Sequence, residues 1–230
     1  MKRKTAEASK PKTTRGENQF YAEGEYADSI FRTALGDIEG SIAALKRALE
    51  AMPTYAPAIL SMGSVEYQAG RAAEGRKLFL SLLSLPKNTT DIRQIIDEAG
   101  TFLTGFGAYE DGMVIYRAAV KKYPGVPALF QGLGYCASNA GLHEEAVSAN
   151  QRALELEPEN QELVNDLGWT LFQAGRLPQA RETLERAVSM DPGDELAREN
   201  LRLCKRKIAR RKIGETGKSQ AARRGPRTLR

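Results

Sequence analysis

The chain has 230 residues, 41% of them apolar and 27% charged, which excludes wholesale disorder and leaves no room for a large multidomain enzyme. No run of eighteen apolar residues is present, so no membrane-spanning helix is expected, and the basic N-terminus lacks the hydrophobic stretch of a secretory signal. The net charge of +5 divides into +5 in residues 1–15, +10 in residues 205–230 and −10 between them: an acidic body between two basic ends.

Residues 1–18 are rich in Lys, Arg and Thr and poor in large apolar groups, and are expected to be a flexible basic segment. The body from 19 to 194 is periodic. Prolines at 53, 86, 124, 158 and 192 follow helix-like blocks, and a 34-residue frame divides the chain into units 22–55, 56–89, 93–126, 127–160 and 161–194. Thr90, Asp91 and Ile92 form an insertion.

Position 15 of the five units reads Gly36, Gly70, Gly107, Gly141 and Gly175. Five of five by chance is on the order of one in 10⁵. A residue just past a helix C-terminus adopts a left-handed backbone, which glycine does without steric cost. Position 8 reads Ser29, Gly63, Gly100, Gly134 and Gly168, and position 20 reads Ser41, Gly75, Gly112, Ala146 and Ala180. Small residues there let two antiparallel helices approach, offsetting the roughly 1 kcal/mol that a helical glycine costs relative to alanine. Each unit therefore reads as helix, glycine turn, helix, proline-marked loop. One hairpin cannot bury its apolar stripe alone; stacked neighbours can.

The last two units, with Phe130, Leu133-Gly134, Ala146, Ala153 and Pro158, and Val164, Leu167-Gly168, Leu171, Ala180, Leu184, Ala187 and Pro192, resemble the tetratricopeptide repeat family. The resemblance covers 22–194 and implies an all-α superhelix, an α-α solenoid of five hairpins. It is weakest in the first unit, where Glu25, Asp28, Ser29 and Arg32 are expected either to form the polar face of a cap or to mark a degenerate hairpin. Asn150 also departs from it, a polar residue at an apolar position. Leu196, Leu201, Cys204 and Ile208 predict a capping helix over 195–212, followed by a flexible basic tail, 213–230.

Residue types that carry chemistry are few. Cys136 and Cys204 support no disulfide framework and fit a reducing cytoplasm; both read as small hydrophobes. The single histidine, His143, excludes a multi-histidine zinc site and has no motif for acid–base work. Gly105 and Gly107 belong to neither a dinucleotide nor a P-loop fingerprint. Neither cofactor nor metal is expected, and an enzyme is not.

In the resembled family the first helices line a concave groove, with positions 2, 5, 6, 9, 12 and 13 facing a ligand. Carried over, these positions include Tyr67, Asp97, Glu98, Gln131, Tyr135, Asn139, Glu162, Asn165, Asp166, Trp169 and Phe172. The implied function is a non-catalytic adaptor that takes a protein or peptide partner onto aromatic anchors, a basic one because carboxylates steer Lys/Arg-bearing segments. The family's chaperone-carboxylate clamp does not fit: starting at the third unit its Lys, Asn, Asn, Lys and Arg positions hold Asp97, Thr101, Gly132, Glu162 and Asp166, and earlier starts fail too. The tail Lys205–Arg230 suggests a competing role, salt-sensitive contact with nucleic acid or the ribosome, without aromatics for base stacking.

Overall fold

The computed structural model describes residues 14–223. Among them are eleven helices and no strand: α1 (Arg15–Ala34), α2 (Ile38–Ala51), α3 (Ala56–Gln68), α4 (Ala72–Leu82), α5 (Ile92–Gly105), α6 (Tyr109–Lys122), α7 (Pro127–Asn139), α8 (His143–Leu156), α9 (Gln161–Gln173), α10 (Leu177–Met190) and α11 (Glu195–Arg223). No helix among the described residues is long and apolar enough to cross a membrane.

The five turn glycines carry the conformation that their position demands, with φ between 76° and 78°. The small residue at position 8 is met each time by the side chain sixteen residues on. A Cβ built on Gly63, Gly100, Gly134 or Gly168 would stand 2.2–2.7 Å from Phe79, Tyr116, Asn150 or Leu184. Helix apposition thus requires the absent Cβ at these positions.

The chain divides into two compact units between Ala99 and Gly100, within α5 and shortly after the inserted residues. In the first, α1 packs on α2, α2 on α3 and α3 on α4. Ala22, Leu45, Ala48, Ala58 and Met62 form a buried core. In the second, each helix from α6 to α11 packs on the next, and α7 also meets α9, and α9 meets α11. The Tyr116 ring is buried between Gly100 and Gly132. Val147, Leu167, Leu171, Leu184 and Cys204 form the core toward the C-terminal end, closed by Leu201 and Ile208 of α11.

Three sequence expectations are corrected. α1 begins at Arg15, before the expected end of the flexible segment at 18, because Thr14 and Glu17 form a reciprocal capping box. α11 does not stop at 212: its backbone is helical to Arg223, so much of the expected flexible tail continues the capping helix. Residues 1–13 and 224–230 lie outside the described residues. The polar residues of the first unit do not form an outward cap either. Glu25 and Asp28 pair with Arg47 of α2 at 2.7 and 3.4 Å, and Ser29 is buried, donating to the Tyr26 carbonyl at 2.6 Å. They point along the hairpin, and the outer face of α1 is apolar instead.

Candidate partner-binding face

The 34-residue frame places α7 and α9 as first helices of successive units, and their packing aligns the candidate residues of the second compact unit on one face. Gln131 Nε2 donates to Asp166 Oδ2 at 2.7 Å. One turn pair further along, Ser138 Oγ donates to Gln173 Oε1. The same relationship recurs between α9 and α11, where Asn200 Nδ2 donates to Asn165 Oδ1 at 3.0 Å. Partners in all three pairs are thirty-five residues apart, so α11 occupies the place of a further first helix.

This pairing decides which candidates stay available. Asn165 is only 4% exposed and its Oδ1 accepts from Asn200, yet it lines the same recess as Glu162 and Asp166. Asp166 is half-buried, and burial raises its carboxyl above the usual range although the Gln131 amide opposes the shift. Glu162, a turn earlier, is exposed. Together with Gln161, Asp191, Asp194 and Leu196, Glu162 and Asp166 line an open recess of about 440 Å³. Asp194 caps α11 through the Leu196 and Ala197 amides and accepts from Gln161 Nε2 at 2.7 Å, the contact that lowers its carboxyl most.

The aromatic candidates differ among themselves. Tyr135 of α7 is 55% exposed, with its ring 6.3 Å from that of Tyr109. Asn139 is exposed and donates to the Tyr135 carbonyl. Trp169 is half-buried and stacks on Phe172, ring centres 5.1 Å apart. Lys207 of α11 stands over the other part of this stack, its Nζ 4.5 Å from the Phe172 centroid. Lys207 was missed in sequence; extending the frame by one unit puts it at position 13, a groove position.

The remaining candidates lie in the first compact unit. Tyr67 does not face a ligand: it is 2% exposed and stacks on Phe79 at 5.7 Å. It fills the space left by Gly75, whose Cβ would meet the Tyr67 ring at 2.3 Å. Asp97 is half-buried, and Glu98 is exposed and accepts from Gln94 at 2.9 Å.

Groups capable of covalent or metal chemistry are scattered. Among the described residues no three His, Cys, Asp or Glu side chains come together as a metal site. Burial pushes the Cys136 thiol up to about 12, far from a thiolate, and Cys204 is buried with its Sγ 3.7 Å from the Leu177 carbonyl. His143 is half-buried at the start of α8.

Residues 140–202 match the tetratricopeptide repeat family. Among solved structures, the chain is similar to YrrB, described as a TPR protein with an unusual peptide-binding site, with 21% identity and a TM-score of 0.56 over 80% of this chain and 93% of that one. It is also similar to MamA 41-end from Desulfovibrio magneticus RS-1, with 18% identity, a TM-score of 0.54, and 76% and 97% covered. The first TPR domain of human RPAP3 gives 19% identity and a TM-score of 0.51, with 54% and 97% covered. At these identities the likeness establishes the fold. No curated protein matches the chain in sequence.

Proposed function

We propose that this chain, a tetratricopeptide repeat protein, is a non-catalytic cytoplasmic adaptor whose second compact unit holds a basic peptide or protein segment across α7 and α9. The observation that carries the reading is the conjunction of two kinds of group on one face. Tyr135 is largely open to solvent, and Trp169 and Phe172 form a partly covered stack. Glu162 and Asp166 line the adjoining recess. Aromatic rings anchor an extended segment through contact area, and the carboxylates select Lys or Arg beside it. That a similarly folded protein, YrrB, is described as having a peptide-binding site supports the reading by analogy of fold.

Trp169 is the only tryptophan of the chain, so its emission reports binding directly. Arrayed Lys/Arg-rich peptides with an aromatic residue are screened, and the best is titrated against the protein. Tyr135→Ala with Glu162→Lys is expected to weaken it at least tenfold, about 1.4 kcal/mol. Equal affinity of the variant sinks the proposal.

A second reading draws on α11, which presents Arg198, Arg202, Lys205 and Arg206 along one shallow surface and whose backbone stays helical through the basic run to Arg223. Contact with nucleic acid by such a helix would fall steeply with salt. Charge reversal at Arg198 and Lys205 tests it; RNA retention unchanged by that reversal rejects it.

A further inference from the structure

A terminal unit of a helical solenoid has no neighbour on its outer side and keeps that side polar to stay soluble. The C-terminal helix obeys this rule, since Arg198, Arg202, Lys205 and Arg206 face outward. The N-terminal helix breaks it. Phe20, Tyr21, Ile30 and Phe31 of α1, with Leu35 of the following turn and Ile38 at the start of α2, are between 52% and 80% exposed. Scattered apolar side chains need no account, but six large ones on one hairpin do.

Phe20 and Phe31 belong to a helix–helix seam. Opposite the stripe that α1 buries on α2, marked by Ala22 and Ser29, exposed residues run Phe20, Gly24, Ala27, Phe31 and Ala34. The spacing is four, three, four, three, the repeat that keeps one seam facing a partner helix. Large and small residues are interleaved, and nothing lies within 4 Å of where a Cβ on Gly24 would be. The two phenylalanines are knobs, and Gly24, Ala27 and Ala34 leave holes beside them.

We propose that this face of α1 pairs with the same face of a second copy, antiparallel about a two-fold axis. Apolar surface favours this occupant: Phe20 and Phe31 on the seam, with Tyr21 and Ile30 on its two flanks, are each more than half exposed, and pairing two such faces removes apolar surface from water on both copies at once. The pattern is also self-complementary, as an isologous contact requires: a two-fold brings the phenylalanines of one helix against the small residues of the other. The chain's own segments outside the described residues offer little apolar surface to match the face. Residues 1–13 and 224–230 contain Met1 and Leu229 as their only large apolar groups.

The pairing is tested on the full chain by sedimentation equilibrium across the micromolar range. The wild type is expected at twice the chain mass of 25.3 kDa, and Phe20→Glu with Phe31→Glu at the single mass. Both side chains point to solvent, so helicity and melting should hold in the variant and show that the fold survives. Ala27→Cys near the axis should cross-link under mild oxidation, whereas Glu182→Cys at an exposed position of α10 should not; native Cys136 and Cys204 are buried and stay silent. A monomeric wild type overturns the proposal. So does a dimer indifferent to the two glutamates, or one that Ala27→Cys fails to cross-link.

Discussion

Gln131 of α7 donates to Asp166 of α9 at 2.7 Å, and this bond both joins two repeats and offsets part of the burial that disfavours the Asp166 charge. It holds a carboxylate where burial disfavours the ionised form. Below the ordinary carboxyl value of 3.8 Asp166 is protonated whether the chain is folded or not. As pH rises through the elevated folded value, the folded state loses stability relative to the unfolded.

Asp166→Asn removes that charge and keeps an oxygen for the Gln131 amide. The variant is expected to melt about 2–4 °C higher than wild type at neutral pH, the size of a change near 1 kcal/mol in a chain this long. Near pH 3 the difference should vanish. Melting curves by circular dichroism across this pH range check it; a variant that is less stable at neutral pH would show that the carboxylate is adequately solvated.

The pair between position 8 and position 24 invites a second test. At Gly168 an added Cβ would lie 2.7 Å from Leu184 side-chain atoms and 3.2 Å from the Leu184 backbone nitrogen, so Gly168→Ala should cost about 1–3 kcal/mol through overpacking, despite alanine's better helix propensity. Gly141→Ala meets nothing within 4 Å and pays only for its φ of 78°, about 1–2 kcal/mol. The two losses differ in kind: trimming Leu184 to Ala should relieve the Gly168→Ala clash and leave the Gly141→Ala cost untouched. Urea melts of the single and double variants separate them.

Asn150 occupies the slot that Leu184 fills in the next repeat. Its Nδ2 donates to Thr170 Oγ1 at 2.7 Å, but its Oδ1 is buried with no partner. Asn150→Leu removes the unsatisfied oxygen, and Thr170 keeps its own bond to the Asp166 carbonyl. A stabilisation of about 1 kcal/mol is expected, measured as a higher urea midpoint at unchanged slope; a lower midpoint would mean that the Thr170 bond outweighs the orphaned oxygen.

The turns were legible because one backbone requirement repeats: every position-15 glycine has the same positive φ. The groove was legible only by position, and position does not report what a side chain meets. Tyr67 and Phe172 share position 12, yet Tyr67 turns inward because Gly75 leaves a space that Ala180 closes in the fifth unit. Asn165 meets Asn200 because α11 supplies a further first helix beyond the five-unit frame, a partner that position alone does not show. In the first unit, Glu25 and Asp28 looked like an outer cap until their partner, Arg47, was located on α2. Ion pairing between helices leaves no periodic trace in sequence, so the exposed apolar face of α1 was hidden by the charges beside it.

Lys207 offers the last prediction, because it already occupies a cation's place on the aromatic stack. Its Nζ lies 4.5 Å above the Phe172 ring, and Phe172 in turn stacks on Trp169. Such a contact at an exposed site contributes about 0.5–1 kcal/mol, which a partner's Lys or Arg must displace before it can sit there. Lys207→Ala should therefore tighten binding of a basic peptide about two- to fivefold and lower the chain's own stability slightly. Lys207→Gln preserves the reach of the side chain without its charge and should behave like the alanine variant. Titrations followed by Trp169 emission distinguish the possibilities: affinity that falls in both variants would make Lys207 a contact to the partner, rather than its internal competitor.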